Sequence, residues 1–407
     1  MGIWPTIPII VFCWRLIGLG VEDAIAAALE RPDRVSRINF FLNISELDDI
    51  AALMQEPFPV LTHLSVTSKF GSVSVLPDGF LGGSAPSLQQ LFLCAVQYHP
   101  ALPTLLLSAS NLVNLRLRNI PPTGYISPEA MVLHVVASPR LETLYIEFGA
   151  GVSFPDIIIS PPIKRTVLPA LCDFSFYAGC EYIEDFLSRI DAPQLNSILV
   201  FYQHRDIRIN FDVPQLAKFI NRSESLTRSL SGHCQIKKKV YQGRDIVTFC
   251  VGRTTSERWN PKPGISVHLG TGIEEQISHL TNMLGFMSPI LSDVVHCTID
   301  SVDFMVESVS DRDWLQLLRQ LSSVQTLFVS NNISGLISRA LASADVGTIT
   351  ETLPALQLIY LEEKEEREEH RHTPSIHKFL VVRRESGRPV TFVETKEEFE
   401  ERLKSYP

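Results

Sequence analysis

Apolar residues recur along this chain in a fixed eight-residue frame. Pro, Ser or Asp stands first, and apolar side chains stand third, sixth and eighth. The copies are Pro59, Leu61, Leu64, Val66; Pro86, Leu88, Leu91, Leu93; Ser110, Leu112, Leu115, Leu117; Pro139, Leu141, Leu144, Ile146; Pro169, Leu171, Phe174, Phe176; and Pro193, Leu195, Ile198, Val200. A weaker copy, Asp33, Val35, Ile38, Phe40, precedes them. Two more lie near the C-terminus: Ser322, Val324, Leu327, Val329 and Pro354, Leu356, Ile359, Leu361. From residue 35 to residue 195 successive third positions fall 24 to 30 residues apart. That spacing lies in or near the period of leucine-rich repeats.

The frame has a physical reading. Side chains alternate faces in an extended segment, so the sixth and eighth residues, such as Leu91 and Leu93, point the same way. One such strand cannot bury its apolar face alone, whereas parallel stacking of successive units makes a continuous core. Pro at the start of a strand removes no ladder donor. Between strands the chain must return, and the apolar spacing over 46–55, 101–108, 128–136 and 182–190 predicts short helices. Ser127 supplies an N-cap there, with Pro128 at the first helical position. The expected fold is an α/β leucine-rich-repeat solenoid, a horseshoe with parallel strands on its concave face and irregular helices and loops on its convex face.

The pattern also divides the chain. Residues 1–32 are expected to form an N-terminal cap or first repeat, 33–212 the regular repeats, 213–322 degenerate repeats with long loops, and 323–407 the C-terminal repeats and cap. In the middle region the octet is lost. The β-branched stretches 236–241, 246–251, 265–269 and 294–304 still read as strands, and 273–287 and 311–321 as helices. Alternation of strand and helix is expected to continue there. Residues 253–264, with two prolines, read as an exposed loop, and the charge run 362–372 as a solvated loop or helix start. A strand at 389–393 and an amphipathic helix at 396–403 would close the last coil. The apolar stretch 7–19 is broken by Arg15, lacks a basic flank and is too short to span a bilayer, so a buried edge strand or packed N-terminal segment is expected.

Composition narrows the chemistry. With 45% hydrophobic and 20% charged residues, a large core is expected. A net charge of −9 argues against nucleic acid as a partner, since such binding rests on neutralising phosphates. Seven cysteines without a C-x-x-C pair argue against a disulfide framework or a zinc module, and fit a reducing cytoplasmic or nuclear setting. No G-x-S-x-G, Walker, H-E-x-x-H or dinucleotide-binding motif occurs. Gly82-Gly83-Ser84 precedes a strand rather than a helix, which predicts a turn and not a phosphate cradle. His370, His372 and His377 read as an exposed polar tract rather than a metal site. His233-Cys234 and His296-Cys297 read as strand residues, with a catalytic Cys–His pair left open because such pairs meet in space. No enzyme activity, cofactor or metal is expected.

If the sixth and eighth octet residues face the core, their neighbours face away from it. That open set includes His63, Ser65, Gln90, Phe92, Asn114, Arg116, Arg118, Thr143, Tyr145, Glu147, Asp173, Ser175 and Tyr177, then Leu199, Phe201, Phe328, Leu358 and Tyr360. Exposed aromatics interspersed with arginine suit the core of a protein interface, unless loops or the terminal cap cover them. The candidate partner-binding residues are Phe92, Arg116, Arg118, Tyr145, Glu147, Tyr177, Phe201, Phe328 and Tyr360.

Three stretches go beyond a generic repeat. They are Leu76-Pro77-Asp78-Gly79-Phe80-Leu81-Gly82-Gly83-Ser84-Ala85-Pro86; Leu115-Arg116-Leu117-Arg118-Asn119-Ile120-Pro121 running into Gly124-Tyr125-Ile126-Ser127-Pro128-Glu129-Ala130-Met131; and Arg165-Thr166-Val167-Leu168-Pro169-Ala170-Leu171 with Tyr182-Ile183-Glu184-Asp185 and Arg189-Ile190-Asp191-Ala192-Pro193. Together they resemble basidiomycete fungal F-box/leucine-rich-repeat proteins, well over residues 4–220 and more loosely from Leu353-Pro354-Ala355-Leu356 onward. The resemblance implies repeats that select a protein substrate for a cullin-RING ubiquitin ligase, reached through an F-box docked on Skp1. No Leu-Pro-x-Glu-like F-box helix precedes Trp4-Pro5, so the likeness is to the substrate-binding portion, and Skp1 is expected as a partner only through an F-box upstream.

Overall fold

The computed structural model describes residues 7–14, 21–69, 74–97, 101–149, 152, 164–203, 213–229, 232–241, 244–253, 262–270, 273–301, 309–362 and 373–403. The chain divides into two compact units, Met1–Leu195 and Asn196–Pro407. The main sheet of the first unit holds, among the described residues, β1 (Ile9–Cys13), β2 (Val35–Leu42), β3 (His63–Ser68), β4 (Gln90–Cys94), β5 (Asn114–Ile120), β6 (Thr143–Phe148) and β7 (Asp173–Ala178). They lie side by side in chain order, and every neighbouring pair is parallel.

Register carries the octet across this sheet. Leu64, Leu91, Leu115, Leu144 and Phe174 are partners on successive strands, as are Val66, Leu93, Leu117, Ile146 and Phe176. None of these is more than 1% exposed. At roughly 1.5–3 kcal/mol for each buried side chain, this shared spine is the principal stabilising feature of the unit. Each strand is also tied to the previous coil at its entry: Gln90 N–H donates to Thr62 O, Asn114 to Gln89 O, Thr143 to Val113 O and Asp173 to Glu142 O, each at 3.0 Å. No parallel strand could pair so without a return segment to bring the chain back.

The helices Ile44–Leu53, Ala101–Ser108, Pro128–Val136 and Cys180–Arg189 are those returns. The first begins in a capping box. Asn43 Oδ1 accepts from Glu46 N–H at 3.0 Å, and Glu46 Oε2 accepts from Asn43 N–H at 2.9 Å. Ser127 caps the third, accepting from Ala130 N–H at 3.2 Å. Tyr182 on the fourth reaches the preceding coil, its hydroxyl donating to Ile126 O at 2.8 Å. Gly82 and Gly83 form the expected turn, with φ of 60° and 67°. A Cβ on Gly82 would also meet Pro57 at 2.7 Å, so both the backbone and the space demand glycine. The N-terminal stretch is an edge strand, but only one of its faces is buried. Val11 and Cys13 point into the core, while Ile10, Phe12 and Trp14 are 64%, 59% and 65% exposed.

The second unit departs from the expected alternation. Its described strands are β8 (Ser197–Gln203), β9 (Gly232–Tyr241), β10 (Arg244–Arg253), β11 (Lys262–Gly270), β12 (Val294–Ser301), β13 (Thr326–Val329), β14 (Leu358–Leu361) and β15 (Thr391–Val393). Their spatial order is β8-β11-β10-β9-β12-β13-β14-β15. The β9/β10 and β10/β11 pairs are antiparallel and the other neighbours parallel. So the strand–helix alternation expected over 213–322 is interrupted by three consecutive strands with no described helix between them. The reason is connectivity: antiparallel neighbours need only a tight turn, and two residues separate β9 from β10. The loop expected at 253–264 is shorter, since Arg253 ends β10 and β11 starts at Lys262; residues 254–261 lie outside the described residues.

Beyond β12 the regular pattern returns. Cys297, Leu327 and Ile359 are register partners, as are Ile299, Val329 and Leu361. The helices Ile273–Phe286, Asp311–Gln320, Asn331–Ser343 and Thr373–Glu385 cover the core side. Arg383 is fully buried there and donates from Nη2 to the carbonyls of Pro354 and Leu356, at 3.2 and 3.1 Å. Of the charge run, Glu362 accepts from Asn331 N–H at 3.2 Å, and residues 363–372 lie outside the described residues. The helix Lys396–Leu403 follows β15, as the sequence pattern predicts. No described helix is long and apolar enough to cross a membrane. Each unit is thus built from α/β leucine-rich repeats, regular in the first and interrupted by a β-meander in the second.

Candidate protein-binding face

The face of each sheet away from the core carries the residues between the buried octet positions. On the first unit they form two rows across the strands. Phe92, Arg116 and Tyr145 are register partners on β4, β5 and β6. Beside them, Cys94 pairs with Arg118 across β4 and β5, and Glu147 with Tyr177 across β6 and β7. Arg116 and Arg118 are exposed, while Phe92, Tyr145, Glu147 and Tyr177 are half-buried. The second row is internally bonded. Arg118 Nε donates to Glu147 Oε2 at 3.0 Å, and the Tyr145 hydroxyl donates to the same oxygen at 2.7 Å. Arg118 lies over the Tyr145 ring, 5.5 Å from its centroid, and the Tyr145 and Tyr177 rings stand 5.2 Å apart. Burial first, and then the bond to Glu147, push the Tyr145 phenol well above its ordinary range. Glu147 likewise holds the Arg118 guanidinium in its charged form.

Arg116 differs from Arg118. Its Nε donates to Asn114 Oδ1 at 3.2 Å, and it makes no ion pair among the described residues. Its register neighbours are aromatic on both sides.

Two aromatics on this face escaped the sequence reading. Phe12 and Phe41 are 59% and 42% exposed, with the Phe12 ring 5.7 Å from that of Trp14. Lys69 caps the patch, 4.7 Å from the Phe41 centroid, and donates to the Trp14 carbonyl. The signal was present in the weak octet at Asp33, since Phe41 directly follows its last core residue, Phe40.

The second unit corrects two of the proposed contacts. Phe201 is half-buried, its ring stacked at 5.7 Å on that of His268, its partner across β8 and β11. Phe328 and Tyr360, expected on an open face, are only 9% and 6% exposed. The cause is the helix Lys396–Leu403, which brings Phe399 against both rings, at 6.1 and 5.7 Å between centroids. Lys396 Nζ lies 5.7 Å from the Phe328 centroid. Phe328, Leu358, Tyr360, Val393 and Phe399 form one buried cluster.

On the same side of β9–β13, His233, His296, Thr298 and Thr326 form a buried polar row. His233 Nε2 and Thr298 Oγ1 are hydrogen-bonded at 3.1 Å, as are His296 Nδ1 and Thr326 Oγ1 at 2.7 Å. Burial and the neighbouring His296 lower the His233 pKa to about 4, so this imidazole is neutral near pH 7. The adjacent cysteines point to the opposite face, because successive strand residues alternate. Cys234 and Cys297 are register partners, fully buried. The hydrogen bond to Cys234 and then burial hold the Cys297 thiol protonated, the reverse of what a nucleophile needs. These residues are therefore not arranged as a Cys–His dyad. Among the described residues no group of three or more His, Cys, Asp or Glu side chains could hold a metal ion. His377 is exposed, and His370 and His372 lie outside the described residues.

No family model matches the chain, and no curated protein matches it. Among solved structures, the TLR13–ssRNA13 complex aligns at 12% identity with a TM-score of 0.34, covering 83% of this chain and 40% of that one. The leucine-rich repeat-containing protein LegL7 from Legionella pneumophila aligns at 14% identity with a TM-score of 0.33, covering 93% of this chain and 98% of its own. The chain thus spans less than half the length of TLR13 and nearly all of LegL7.

Proposed function

We propose that the chain is a non-catalytic scaffold that captures another protein on the open sheet face of its first unit. The observation that carries this reading is the run Phe92–Arg116–Tyr145, three register partners of residue types enriched at protein interfaces, with Arg116 exposed and both rings half-buried. Aromatic rings fixed on a rigid sheet lose little conformational entropy on binding, which favours this surface over a loop. The resemblance to fungal F-box repeat proteins extends the reading to a substrate-recognition role in a ubiquitin ligase inside the cell. An ordinary repeat-based ligand binder or inhibitor is the alternative.

The test compares the full chain with a variant in which Phe92, Arg116, Tyr145 and Tyr177 are all alanine. Partners cross-linked to the wild type should be lost from the variant, while thermal melting stays cooperative. Unchanged capture would remove the reading. The ligase role has its own test. The in-frame sequence upstream of Met1 should encode an F-box, and the longer product should retain Skp1. Retention of the same partners without any F-box would leave the binder reading in its place.

A further inference from the structure

The kind of partner is legible on this face, given the binding role proposed above. On β2–β7 the open strand positions hold Arg37, Arg116 and Arg118 against Glu147 and Asp173, a local net charge of +1 on a chain of net charge −9. Glu147 is already engaged by Arg118 and by Tyr145. Arg37 and Arg116 make no ion pair among the described residues, and of the two Arg116 has an aromatic register neighbour on each side, Phe92 and Tyr145, with its Nε donating to the neutral Asn114 side chain. An exposed guanidinium with an aromatic register neighbour on each side presents a planar fork of donors, and that fork matches a carboxylate.

The chain itself shows what settles at the equivalent place in a repeat. Phe328 and Tyr360 occupy the seventh octet position, as do Phe92, Arg116 and Tyr145. Their occupant, the helix Lys396–Leu403, is an acidic segment with one buried aromatic: Glu397, Glu398, Glu400 and Glu401 surround Phe399. Its aromatic ring packs on the row, Lys396 lies over the Phe328 ring, and Glu398 pairs with Arg402 of the same helix.

We infer that the first unit binds an acidic protein segment carrying an aromatic anchor, with a carboxylate on Arg116 and the ring against Phe92 and Tyr145. Arg118 is held in place by Glu147 and serves to position Tyr145 rather than to receive the ligand.

Selection of displayed random peptides against the full chain tests this. Peptides retained by the wild type should be enriched in Asp and Glu next to Phe, Tyr or Trp. Arg116→Glu should weaken their capture by about tenfold or more, the scale of one lost charge-assisted contact. Selection on that variant should instead enrich Lys and Arg. Phe92→Ala combined with Tyr145→Ala should remove selection, with circular dichroism unchanged. Peptides without acidic bias that still depend on Phe92 and Tyr145 would overturn the acidic partner and leave the binding face standing. Peptides indifferent to both changes, or none above an unrelated control protein, would overturn both. Concentration-dependent self-association lost with Phe399→Ala would name a second copy of the chain as the occupant, and would also overturn the proposal.

Discussion

Phe92 and Phe328 stand at the same position of the same octet, on strands of the same kind. Phe92 is half-buried beside two exposed arginines on neighbouring β5, whereas Phe328 lies under Phe399 within a closed aromatic cluster. The repeat decides which way a side chain points. Whether that side chain meets water or protein depends on a segment far away in sequence, here a short helix some seventy residues after Phe328. The chain thus carries one open and one covered version of the same surface.

Several measurements sharpen or break that contrast. The largest difference is expected in stability. Phe328→Ala should cost about 3–5 kcal/mol in urea unfolding, the range for a buried aromatic, while Phe92→Ala should cost less than about 1 kcal/mol. Equal losses would mean that the two faces are equally covered.

Acid should act on the second unit next. The folded pKa of His233, about 4, lies below its ordinary value of 6.5. The unfolded chain therefore binds the proton more readily. The contribution of this neutral imidazole is complete above pH 6.5 and is lost as pH falls toward 4, by roughly 3 kcal/mol in all. His63 in the first unit is half-exposed and its pKa is lowered by burial and by Arg37, so it contributes in the same direction with a smaller amplitude. Unfolding midpoints between pH 7 and 4 should slope steeply for the wild type and less steeply with His233→Gln, the buried His296 acting in the same direction. A slope untouched by that substitution would contradict the buried polar row.

The smallest effect belongs to the open face. Glu147→Gln breaks a partly exposed pair and should change stability by less than about 1 kcal/mol. It should lower the Tyr145 phenol only in part, since burial, the larger cause of its raised pKa, remains, and tyrosinate absorbance should appear at somewhat lower pH than in the wild type.

How much of this was readable beforehand follows from the same physics. The octet predicts β2 to β7 of the first unit strand by strand, because burial of Leu91, Leu115 and Leu144 forces one register. It also places Phe92, Arg116 and Tyr145 on the open side. The meander β9–β11 was less legible. Its β-branched stretches announce strands such as Ile246–Val251, but strand direction is set by connections and pairing partners that local composition does not encode. Phe399 had a helical context readable from 396–403, yet nothing in those eight residues says which face of which strand they will cover. Phe12 and Phe41 were missed for a simpler reason: the first octet is weak, and the edge strand β1 has no octet at all.

The open-versus-covered contrast is tested most directly by hydroxyl-radical footprinting of the full chain, with oxidation rates read residue by residue. Phe12, Phe41 and Phe92 should be oxidised much faster than Phe328, Tyr360 and Phe399, and Phe399→Ala should raise the rates of Phe328 and Tyr360 without altering the first three. Protection of Phe12, Phe41 and Phe92 in the isolated protein, or rapid oxidation of Phe328 and Tyr360 in the wild type, would contradict it.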